Sequence, residues 1–69
     1  MSVYKVVEII GTSPNSWRDA AKDAIVTAQS TLRGLRVAEV VKTDIDLAGD
    51  EPIYRVKLSV SFKYEAHEE

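Results

Sequence analysis

The chain has 69 residues, no cysteine, and 11 acidic against 9 basic side chains, for a net charge of −2. That length predicts one domain over residues 1–69, and the missing cysteines exclude disulfides and thiolate zinc sites. The acidic balance excludes bulk attraction to nucleic acid or to an anionic membrane surface.

Domains this short bury only about 60% of their unfolded-chain surface. With disulfides excluded, and His67 unable to build a zinc site alone, self-association is the expected route to stability. No run approaches the roughly 20 apolar residues of a membrane span. The start, Met1-Ser2-Val3-Tyr4-Lys5, lacks the basic-then-apolar layout of a signal peptide. A cytoplasmic location is expected.

Val3 to Ile10 is rich in β-branched residues and is predicted as the first strand, ended by Gly11. Val3, Lys5, Val7 and Ile9 share one side; Tyr4, Val6, Glu8 and Ile10 share the other. Apolar residues on both sides predict that both faces are covered, one by the chain itself and one by a neighbour. Thr12 to Ser16 is a turn and helix-start cluster. Ser13 before Pro14 fits an N-cap with proline at the first helical position, and Ser16 with Asp19 is a second candidate cap.

Trp17, Ala20, Ala21, Ala24, Ile25, Ala28 and Leu32 recur at three- and four-residue steps and form the apolar stripe of one amphipathic helix. Early Asp19 and Asp23 and late Arg33 suit its dipole, and Gly34 is predicted to end it. Trp17 at stripe spacing is predicted to serve packing or an interface rather than ligand stacking. Leu35 to Leu47 is predicted as the second strand. Val37, Glu39, Val41, Thr43, Ile45 and Leu47 would share one side, although the uneven pattern predicts a bend or bulge. Ala48 to Pro52 supplies a hairpin turn in which Gly49 is free to take positive φ.

Pro52 to Tyr64 is the most regular stretch of the chain. Tyr54, Val56, Leu58, Val60, Phe62 and Tyr64 alternate with Arg55, Lys57, Ser59, Ser61 and Lys63, a period that only a strand can use. One face must pack on apolar groups, and the basic, hydroxyl-rich face must meet water, a ligand or another subunit. Residues 65–69 form a polar tail expected to fray.

The predicted fold class is therefore α+β, in the order β-α-β-β. A helical crossover and a tight hairpin place the third strand in the middle, giving an antiparallel sheet of order 1-3-2 curled around one helix. No phosphate loop, nucleophile elbow or zinc-protease motif is present, and no catalytic residue is nominated. A non-enzymatic role is expected. Asp44, Asp46, Asp50 and Glu51 gather about the hairpin, without the spacing of a known calcium loop.

The segments Val3-Tyr4-Lys5-Val6, Ile9 to Ser13, Ser16-Trp17, Thr31-Leu32-Arg33, Ala38-Glu39-Val40 and the Tyr54…Val60…Phe62 strand together resemble the dodecin family, in order and over nearly the whole chain. That resemblance implies a hollow homododecamer that binds or stores flavin. Two positions depart from it. The family's flavin-stacking tryptophan falls on Val37, which forgoes about 1–3 kcal/mol per stacked aromatic face, by analogy with base stacking. The glutamine that bonds the flavin edge falls on Arg55, which donates hydrogen bonds but cannot accept them.

The wording around Arg36-Val37-Ala38 and Tyr54-Arg55 is closer to a branch of the family known as calcium dodecin. The resemblance thus implies a dodecameric shell for calcium or another small ligand, with Val37 and Arg55 at the family's pocket positions. Glu8 and Asp44 are the candidate metal carboxylates. A flavin store and a ligand-free structural assembly are the alternatives. Partners are other copies of the chain and the ligand, with no nucleic acid and no membrane.

Overall fold

The computed structural model describes residues 2–64; the expected fraying of 65–69 and His67 lie outside the described residues. Four elements follow one another: β1 (Val3–Ser13), α1 (Trp17–Thr31), β2 (Leu35–Asp46) and β3 (Ile53–Tyr64). The strands form one sheet of order β1-β3-β2, and both neighbouring pairs are antiparallel. The α+β, β-α-β-β arrangement expected from the sequence is the observed one.

Period-2 alternation in β3 organises the packing. Val56, Leu58 and Val60 point to the helix and are almost completely buried, and Ala20 and Ala24 close over them. Val7, Ile9, Ala21, Ile25 and Leu35 pack around that cluster half-buried. The alanines of α1 hold no bulk, so the helix can lie close to the sheet. It crosses β1 and β3 and barely touches β2.

Gly11 does not end the first strand, as the sequence suggested; β1 runs through it to Ser13, and Gly11 pairs with Val56. Its role is clearance: a Cβ there would lie 2.1 Å from the Ala20 carbonyl oxygen and 2.8 Å from the Ala24 Cβ. Of the two candidate caps, Ser16 is the N-cap, its Oγ accepting from the Asp19 N–H at 3.0 Å. Buried Ser13 instead turns the chain, its Oγ accepting from the Asn15 N–H at 3.0 Å. The helix stops at Thr31 with Leu32 as C-cap, so Arg33 falls beyond it. Gly34 takes φ +71° in the bend into β2, where its carbonyl accepts from the Lys63 N–H at 3.1 Å. Gly49 does not use its positive-φ freedom. The hairpin is turned instead by Asp46, whose Oδ1 accepts from the Ala48 N–H at 2.9 Å.

The expected irregularity of β2 is present as two register shifts, Leu35/Val37 and Val40/Lys42. The second corrects the face assignment made by simple alternation. Val37 and Glu39 share the outer face with Lys42, Asp44 and Asp46, while Ala38 and Val40 share the helix face with Thr43 and Ile45. The extra residue inverts the pleat once, so the two halves of the strand follow opposite parities.

The molecule is long and thin, 54 × 20 × 17 Å, with a radius of gyration of 14.4 Å. A compact chain of this length would have about 11 Å. The excess leaves apolar side chains uncovered on every element: Tyr4, Val6 and Ile10 on β1, Val26 on the helix, Val37, Val40 and Val41 on β2. No described helix is long and apolar enough to cross a membrane.

Candidate functional site

One helix cannot cover two sheet faces. The side turned away from α1 carries Tyr4, Val6, Glu8 and Ile10 from β1, Arg55 to Lys63 in steps of two from β3, and the outer residues of β2. Two ion pairs cross between its strands. Asp44 lies opposite Arg55, and the two form a fork: Nε donates to Oδ1 at 2.7 Å and Nη2 donates to Oδ2 at 2.9 Å. On the other side of β3, Lys57 Nζ lies 3.2 Å from Glu8 Oε1. The central strand thus supplies a cation to a carboxylate on each flank.

The fork is braced from the helix. Trp17 Nε1 donates to the Asp44 carbonyl oxygen at 3.0 Å, and the indole meets the Tyr54 ring edge-on at 5.1 Å between centroids. Trp17 therefore serves packing, as its stripe spacing predicted, but it also ties the helix start to β2 beside the fork. A cavity of about 160 Å³ opens next to it, lined by Ile10, Lys42, Asp44, Arg55 and Lys57.

Hydrogen bonds from Arg55 hold the Asp44 carboxyl below its ordinary value, against a smaller opposing effect of desolvation, with the charges of Arg55 and Lys42 adding to the lowering. The same bonds raise Arg55, which stays protonated throughout the accessible range. A lowered folded-state value stabilises the protein above the ordinary carboxylate pKa, and that contribution disappears as pH falls through the lowered value. Stability is expected to decline on acidification below about pH 4, and Asp44→Asn should flatten part of that decline in urea titrations at successive pH values. The effect is small because both side chains face solvent.

Of the residues nominated from sequence, Arg55 and Asp44 are brought together, though as partners of each other. Val37 and Arg55 are not. Val37 faces Ser61, six residues along β3 from Arg55, a separation of roughly 20 Å at the rise of a strand. Glu8 faces Ser59 on the far side of β3, roughly 16 Å from Asp44 by strand rise and spacing. Asp46 is used by the turn, and no group of three or more metal-ligating side chains occurs among the described residues. Lys42 and the Trp17 brace were missed. Simple alternation groups Lys42 with Ala38 and Val40, from which the bulge separates it, and a hydrogen bond to a backbone carbonyl leaves no mark in side-chain periodicity.

These features define a small α+β protein in which one charged, partly apolar sheet face is left uncovered by the single helix. The Dodecin family model matches residues 3–65, and the chain belongs to that family. It is 52% identical over 65 residues to the calcium dodecin of Mycobacterium tuberculosis, covering 91% of this chain and 90% of that protein. The crystal structure of that calcium-chelating protein superposes with a TM-score of 0.81 at 47% identity, over 99% of both chains. An arginine-to-alanine variant of T. thermophilus dodecin superposes at 0.88 with 34% identity, over 97% of this chain and all of that one. The dodecin of Streptomyces coelicolor does so at 0.87 with 30% identity, over 96% of each.

Proposed function

We propose that this chain is one tile of a closed homododecamer in the cytoplasm, and that the shell binds or stores a small ligand or a divalent cation, calcium first, without catalysing a reaction. The observation that carries the reading is the thin, open body. Three large side chains, Val56, Leu58 and Val60, are fully buried, while apolar residues of β1, α1 and β2 face outward. A second copy would remove that surface from water and cover the long edges of β1 and β2. The calcium-chelating relative, at about half identity, supports calcium as the ion.

Sites at seams between copies fit the separations. Val37 and Arg55 are too far apart to share one pocket within a subunit, and so are Glu8 and Asp44. Each of these carboxylates already holds a cation in the single chain. A calcium ion at Asp44 would therefore displace Arg55, so its binding should be weakened by added salt less than by Asp44→Asn. Arg55 locked onto Asp44 also leaves no amide to meet a flavin edge, which disfavours the flavin store.

Native mass spectrometry reads stoichiometry and retained ligand together. A dodecamer that takes up calcium, and does so more weakly as Glu8→Gln or Asp44→Asn, is the expected result. A folded single subunit at micromolar concentration would overturn the shell. An assembled shell that quenches riboflavin fluorescence stoichiometrically would replace the calcium reading with flavin storage.

A further inference from the structure

We propose that the outer sheet face carries an oxyanion site between Lys42 and Lys57, built for the phosphoryl group of a small ligand. The site rests on the reading of that face as ligand-facing, but it does not require the shell.

The first observation is an opposition of like charges. Lys42 and Lys57 are direct cross-strand partners in the β2–β3 register. Side chains so placed stand about 4.5–5.5 Å apart at Cβ, and like charges there are unfavourable. The second observation is how they come to face one another. The register shift between Val40 and Lys42 inserts Val41 as an extra residue. Continuous pairing from Val40 opposite Leu58 would set Val41, not Lys42, opposite Lys57. The bulge thus replaces an apolar partner by a second ammonium group, and bulges commonly re-aim a side chain at a site.

The third observation is that the neighbouring carboxylates are occupied. Both oxygens of Asp44 are held by Arg55 Nε and Nη2, and Glu8 reaches Lys57 through one oxygen. Lys42 makes no ion pair among the described residues. Three cations, Lys42, Arg55 and Lys57, and one carboxylate, Asp44, therefore line one cavity of about 160 Å³ with Ile10 in its wall. Arg55 Nη1 is not used by the fork.

A bound oxyanion removes the repulsion and accepts charge-assisted bonds from both ammonium groups. A phosphoryl group suits the site better than a carboxylate, since its greater charge and three acceptor oxygens match donors arriving from two strands. The small cavity and the acidic chain argue for a small phosphorylated molecule over a nucleic acid backbone. The site is also distinct in sign from any calcium site, because a divalent cation between the two lysines would be repelled.

The test is calorimetric titration of the purified full chain at low ionic strength with inorganic phosphate and with ribose 5-phosphate. Wild type should bind, and Lys42→Gln should bind roughly 10- to 100-fold more weakly, the range for losing one hydrogen bond to a charged group. Lys42→Arg should retain most of the affinity, and Lys63→Gln, on the same face but away from the cavity, should retain all of it. Tighter binding of ribose 5-phosphate than of inorganic phosphate identifies a phosphate monoester as the ligand class, and the reverse order identifies the free ion. In phosphate-free buffer Lys42→Gln should melt above wild type, because the repulsion is gone, and phosphate should raise the wild-type midpoint alone. Absence of binding by wild type, or equal binding by Lys42→Gln, overturns the site. Native mass spectra of the same samples keep the two readings apart: a monomer that binds phosphate through Lys42 sinks only the shell, and a dodecamer indifferent to Lys42 sinks only this site.

Discussion

Gly11→Ala is expected to remove most of the stability of the fold. The new methyl group would sit 2.1 Å from a backbone carbonyl oxygen of Ala20, with the Ala24 side chain on its other flank. Neither neighbour can swing away, since one is helix backbone and the other is a Cβ fixed to it. Relief requires lifting α1 from the sheet, which uncovers Val56 and Leu58. Overpacking of a core costs typically about 1–3 kcal/mol, and more where backbone is struck, so a loss of at least about 3 kcal/mol is expected. That is a large share of the stability of any small domain. Gly49→Ala is the control. Nothing lies within 4 Å of a Cβ at Gly49, and its φ is not positive, so it should be neutral or gain up to about 1 kcal/mol from a less flexible unfolded chain. Urea unfolding followed by circular dichroism compares the two. Equal midpoints for both variants would show that the helix does not sit against Gly11.

The second large effect is a gain. Val37→Trp should raise riboflavin affinity roughly 10- to 100-fold, the equivalent of one added stacking face. Val37 is 62% exposed and stands on the outer face, so a larger ring meets no core. Adding Arg55→Gln should increase affinity further, because it returns an amide with both donor and acceptor and dissolves the fork to Asp44. Quenching of riboflavin fluorescence reads both steps. If the double variant stays indifferent to flavin while still assembling, the chain has no flavin pocket for those two side chains to complete. If wild type already quenches at submicromolar concentration, the protein binds flavin without an aromatic ring at Val37.

Calcium and phosphate would bind opposite members of one set of ion pairs, calcium the carboxylates and phosphate the cations. A cation at Asp44 sets Arg55 free, and a free guanidinium beside Lys42 and Lys57 strengthens the pull on an anion. The two ligands should therefore favour each other, and a calcium titration repeated in phosphate reads that coupling directly.

Alternation in β3 was legible in the order of residues because its two faces meet opposite solvents, apolar helix and open surface, with no irregularity along its twelve residues. The helix stripe, the strand order and the family wording followed from signals equally local. The end of β1 was misjudged, and two serines were left as candidate caps of α1, because glycine and serine each have several uses; the approach of Ala20 to Gly11 and the bond from Asp19 to Ser16 select among them. The outer half of β2 was misread for a different reason. Periodicity is a parity count, and one unpaired residue at Val41 reverses every side chain after it without any change in composition. Tertiary structure alone decided that Lys42 faces Lys57, that Asp44 is held by Arg55 and tied to Trp17, and that Val37 and Arg55 stand too far apart to form one pocket. Each depends on pairing between strands, where the register is set by backbone hydrogen bonds that no side-chain pattern records.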